Sequence, residues 1–135
     1  MINNYIEPIN LPKISGDFVA LNQHFGIIED ALRRGIQDRH YFEEMACCSA
    51  GLQGLTLTLK KAARLASQHA AARGKTCPTG IGDCAAEAER LAAIAERLNL
   101  SASRDLDAWA ALHAAVWQDL NLEWKAAARI FEETV

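Results

Sequence analysis

Nine residues of one segment, Tyr41, Met45, Cys48, Leu52, Leu55, Leu59, Ala62, Ala66 and His69, recur in alternating steps of four and three without a slip. Only an α-helix brings such positions to one side, and a seam sustained over four heptads has to be buried against other helices. Gly51 and Gly54 each cost about 1 kcal/mol of helix propensity but leave the register intact. The segment predicts a helix from 38 to Arg73, closed by Gly74, and with it an all-α fold.

The rest of the chain repeats the pattern. Phe18, Leu21, Phe25, Ile28 and Leu32 mark a first helix that is expected to start at Asp17, with a turn or kink at 34–37. Asp83 is expected to cap a short third helix with the seam Cys84, Ala88, Leu91, Ala95 and Leu98. Ser103 is expected to cap a last one, running to about Glu133, with the seam Leu106, Trp109, His113, Val116, Leu120, Trp124, Ala127 and Phe131. Residues 1–15 carry Pro8 and Pro12 and read as an extended, apolar arm; residues 16–135 read as a single helical-bundle domain. Of the 135 residues 25 are alanine, with 8 glycines and 3 prolines, which favours helix and excludes a disordered chain.

Two long and two short helices predict an elongated antiparallel bundle. If the first helix covers one half of the second and the third covers the other, only about three helices share any cross-section. Such a section holds too little interior for stripes this rich in Leu, Ile and Trp, and a homodimer is expected. The longest uncharged stretch, Met45 to Leu59, is too short to span a bilayer. Four cysteines without a charged-then-apolar leader do not read as a secreted disulfide scaffold, so a cytoplasmic chain is expected.

Charge is unevenly spread. Between Glu44 and Asp83 there is no acid, while Lys60, Lys61, Arg64, Arg73 and Lys75 give that segment +5; residues 83–135 carry ten acids against five bases. These bases are candidates for an anion or nucleic-acid site, but no aromatic is interleaved with them and the whole chain carries −3. Pairing with the acid-rich third helix is the plainer expectation.

No metal or cofactor is expected, since the cysteines lack zinc spacing and no carboxylate shares a stripe with His69 or His113. Antiparallel alignment would bring those two histidines within about a turn of each other. Cys84, placed at a helix N-terminus, is expected to have a lowered thiol pKa, with Cys77 as a potential partner. Arg34-x₅-His40 and Arg64-x₄-His69 resemble the Arg-x₄₋₆-His motif of HEPN-type helical ribonucleases. That resemblance implies phosphate binding by the arginine and acid–base work by the histidine. The residue after each arginine is Gly or Leu, where that family usually has a polar one.

Trp117 and Leu122 fall off the seam of the last helix and suggest a second apolar face. Together with Tyr5, Ile6 and Ile9 of the arm they are the expected partner-binding residues. The leading expectation is a non-enzymatic helical module that binds a protein partner, as a regulator, adaptor or inhibitor of the kind phages and mobile elements carry. The alternative is a nucleic-acid-binding protein or HEPN-like ribonuclease.

Overall fold

The computed structural model describes residues 5–135; the first four residues of the expected arm lie outside them. Among the described residues the chain is all helix and connection: α1 (Leu11–Arg34), α2 (Arg39–Ala72), α3 (Gly80–Leu100), α4 (Leu106–Ala114), a π-helical turn (Ala115–Leu120) and α5 (Asn121–Thr134). The last three follow one another without a break and form a single rod.

The first helix starts six residues earlier than its sequence suggests. Asn10 caps it, the Oδ1 atom accepting the Lys13 N–H at 3.1 Å, and Pro12 stands in the first turn. A proline there interrupts nothing, because the first-turn N–H groups have no intrahelical acceptor. The expected extended arm therefore shrinks to 5–10 within the described residues, and Asp17 lies inside α1, paired with Lys13 at 3.1 Å. Gly35 closes α1 with φ 69°, and Asp38 caps α2 by accepting the Tyr41 N–H at 3.1 Å. Gly74 follows α2 with φ 65°. Asp83 is inside α3, which starts at Gly80. Asp105, not Ser103, caps α4. The Ser103 carbonyl instead accepts both the Tyr41 hydroxyl and the Trp109 indole N–H at 2.9 Å, tying the start of α4 to the start of α2.

These tight connections make each helix antiparallel to the one before it. The folding back is more complete than helix lengths suggest. Helix α1 lies against the N-terminal two thirds of α2 and α3 against its C-terminal two thirds, so the two overlap along its middle, on two sides of it. Lys61 reaches Glu7 ahead of α1, and Leu21 fills the space left by Gly51; on the other side Lys60 reaches Glu89 of α3. The rod then runs antiparallel to α1 and α3 and packs on both, α4 on α1 and α5 on α3. The result is an up-down-up-down four-helix bundle, with α2 and the rod diagonally opposite. Four helices share the middle cross-section, and there a thin core gives no reason for a dimer.

Burial follows the predicted seams of α1, α2 and α3 over most of their length; in the rod Leu112, outside the expected seam, is buried, while Leu106 and His113 are half-buried. Tyr41 through Ala66 of the α2 seam are buried, as are Cys84, Ala88, Leu91 and Ala95 of α3 and Phe18, Leu21, Phe25 and Ile28 of α1. Trp109 and Trp124 are sealed inside, where truncating either to alanine would cost about 3–5 kcal/mol. The π turn answers a slip in the sequence. Leu112, Val116, Leu120 and Trp124 are all buried, three consecutive steps of four. A regular α-helix would rotate that run about 40° per step off the core face; one wider turn absorbs the drift.

Candidate functional site

Two histidine–carboxylate constellations form between helices. On the α1–α4 side, His113 Nδ1 hydrogen-bonds Glu29 Oε1 at 2.7 Å, and Nε2 lies 2.6 Å from the Asn22 side-chain amide. Its ring stacks on Phe25, centroids 5.0 Å apart and 12° from parallel. Arg33 approaches the other Glu29 oxygen at 3.4 Å. On the α1–α2 side, Glu44 lies between His24, hydrogen-bonded through Nδ1, and His40, whose Nε2 is 3.8 Å away. The expectation that no carboxylate shares a stripe with His113 considers one helix by itself; Glu29 reaches His113, and Glu44 reaches His24, from a neighbouring helix, whereas His40 and Glu44 are both on α2. Asn22 and Glu29, two turns apart on α1, do flank the apolar stripe and were the available signal. Both nitrogens of His113 are engaged by α1 side chains, and the site holds α1 to α4.

His69 and His113 are not neighbours. His113 sits beside the C-terminal half of α1, while His69 is near the other end of the bundle, donating from Nε2 to the Glu7 carbonyl at 3.0 Å and edge-on to Phe131. Among the described residues, no group of three or more His, Cys, Asp or Glu is arranged to hold a metal ion.

The Arg–His pairs stay apart. On the continuous helix α2, Arg64 and His69 are five residues apart and so point about 140° from each other. Arg64 is exposed, whereas His69 faces the arm. Arg34 reaches back to Asp30 at 3.4 Å from the end of α1, and His40 opens α2 beside Glu44. The other bases are largely engaged within the fold. Lys60 pairs with Glu89 and Lys61 with Glu7, each at 3.1 Å. Arg73 bonds the Val135 carbonyl and Lys75 the Thr134 carbonyl at 2.8 Å, so both serve the negative end of α5.

All four cysteines are free thiols. Cys84 is buried, and that burial, with Glu123 and Asp83 nearby, pushes its thiol up to about 12, opposite to the expected lowering. Its helix starts four residues earlier, which removes it from the N-terminal turn. Burial likewise raises Cys48. Cys77 is half-buried and donates to the Pro78 carbonyl at 3.4 Å.

Of the expected partner-binding residues, Trp117 is half-buried and packs against the core at the π turn. Ile6 and Ile9 are half-buried too, and Ile9 packs against the core. Pro8, Ile9, His69, Arg73 and Phe131 line a groove of about 260 Å³ where the arm crosses the bundle end. Tyr5 is largely exposed. Leu122 is 63% exposed, and Ile130, absent from the expected set, is 52% exposed on the same helix. Leu122, Ala126 and Ile130 follow one another at steps of four along the outward side of α5.

No protein-family model, curated protein or solved structure matches this chain.

Proposed function

We propose that the chain is a non-enzymatic helical module that binds a protein partner by direct contact, as a regulator, adaptor or inhibitor. The observation that carries this reading is the outward face of α5. Single exposed apolar side chains are ordinary, but Leu122, Ala126 and Ile130 adjoin one another along about 12 Å of helix. Glu123, Lys125, Arg129 and Glu133 surround them with charges of both signs, the pattern of an apolar centre in a polar rim. The partner this surface suits presents its own small apolar patch. Among the described residues no helix is long and apolar enough to cross a membrane, and a cytoplasmic setting belongs with this reading.

The test compares a tagged wild-type chain with Leu122→Asp/Ile130→Asp in affinity capture from the cells it comes from. Both positions are exposed, so the variant should keep its helical circular dichroism. A protein retained by the wild type should be lost in that variant and kept by Lys60→Gln/Lys61→Gln/Arg64→Gln. Identical retention by all three chains would contradict the proposal.

A further inference from the structure

The outward side of α2 carries an uncharged run, as does that of α1 between Ser15 and Ile27. The exposed positions of α2 from Ala46 to Leu57 are Ala46, Cys47, Ala50, Gln53, Gly54 and Leu57, and they carry no charge. Leu57 is 68% exposed, and Phe42, 42% exposed, stands one turn before the run. The hydroxyl of Thr58, beside it, is already spent on the Gly54 carbonyl at 3.0 Å. Apart from the Gln53 amide, water therefore gains little from this surface, and two large apolar side chains are left in it.

The run ends in charges of opposite sign. Glu43 precedes it on the outward side, while Lys61 and Arg64 follow it. Glu43 holds Arg39 at 2.7 Å and Lys61 holds Glu7, both well exposed and able to take a second partner; Arg64 has none among the described residues.

We infer that this face of α2 binds a second copy of the same chain, the two α2 helices antiparallel about a two-fold axis near position 52. A two-fold contact is self-complementary, so it sets one end of the stripe against the other. Ala50 of each copy then faces Gly54 of the other, where the helices can approach closely. Leu57 comes over Ala46 and Cys47, and Glu43 comes opposite Lys61. A parallel pair would set like charges together. The like-charge approach that remains is Arg39 toward Arg64 at the rim, with Glu43 between them.

The extent of the stripe sets the strength. Positions 39–64 span about 37 Å, and at roughly 10 Å of width α2 contributes on the order of 400 Å² per copy. A standard interface needs about 800 Å² from each side, so the flanks of α1 and α3 must contribute, and the dimer dissociates in the micromolar range. Because α2 and the rod are diagonal in the bundle, this contact leaves the α5 face uncovered. It is independent of the proposal made for that face.

Sedimentation velocity of the full chain from 1 to 200 μM tests the inference. The wild type should shift from monomer to dimer across that range. Beyond its own stretch of helix, no atom of the described residues lies within 4 Å of a Cβ added at Gly54. Gly54→Arg should therefore keep its helical circular dichroism while moving the midpoint at least tenfold upward; Ala50→Arg, at an equally exposed site, serves if that variant misfolds. Glu43→Lys should weaken the dimer, and Glu43→Lys/Lys61→Glu should restore it. A wild-type monomer at 200 μM would overturn the inference, as would a dimer indifferent to arginine at 50 or 54.

Discussion

Cys48 and Cys84 are neutral thiols held inside a packed bundle, whereas Cys47 is on the surface and Cys77 is halfway. A disulfide-exchange reagent should modify Cys47 at once and Cys77 more slowly. Cys48 and Cys84 should react only at the rate of global unfolding. Rapid modification of all four would contradict the burial described. The same burial sets a pH dependence. The Cys84 thiol titrates near 9 when unfolded and at about 12 when folded, so its contribution is complete below pH 9 and is lost as pH rises toward 12. Urea midpoints should hold up to about pH 9 and then fall, less steeply in Cys84→Ala. His113 is the other telling residue. Removing its ring leaves the largely buried Glu29 carboxylate with only the 3.4 Å approach of Arg33. His113→Ala should cost about 1–3 kcal/mol in chemical denaturation, and a neutral result would deny the network a structural role. None of this was legible along one helix. Cys84 reads as a first-turn residue until the true helix start is known, and Glu29 and Asn22 meet His113 only once α1 and α4 are laid antiparallel.

At the scale of elements, the seams were legible because a period of 3.6 with buried faces leaves few alternatives. The α2 boundaries were too, because Asp38 and Gly74 are unambiguous punctuation. Pro12 was not: proline breaks a helix interior and favours a first turn, and which applies depends on Asn10 serving as the cap. The π turn was visible as the 112–116–120–124 spacing, though only burial at all four positions identifies it. It behaves as one residue more than an α-helix would need. Deleting exposed Gln118 should leave Leu112, Val116, Leu120 and Trp124 on one regular α face, and the variant should fold with near wild-type helicity. Deleting exposed Lys125, outside the π turn, turns everything after it by about 100° and should lower the melting temperature severely. Equal damage from both deletions would contradict this account.

Across the whole molecule, helix lengths alone misled. They placed α1 and α3 end to end along α2; the connections at 35–38 and 73–79 instead let the two overlap along its middle, which completes a four-helix section there. Charge patterning was the better guide: the basic segment of α2 faces Glu89 on one flank and Glu7 on the other. Exposed pairs of this kind contribute about 0–1 kcal/mol each. Replacing Lys60, Lys61 and Arg64 by Gln should thus change stability modestly. Saturable RNA binding at physiological salt that this variant loses would favour the nucleic-acid alternative. The apolar faces of α2 and α5 were only half legible. Exposure is a property of the packed bundle, and Ile130 reads like any seam residue until α5 is seen in place.

The central claim is that this bundle works through surfaces, with α5 turned toward a foreign protein. Photo-crosslinking tests it most directly, with a benzophenone side chain placed at Leu122, at Leu57 or, as a control, at exposed Arg97, each in the full chain in the cells it comes from. The expected result is an adduct with a different protein from position 122, an adduct between two copies of the chain from position 57, and neither from position 97. Adducts from position 122 no stronger than those from position 97 would contradict it.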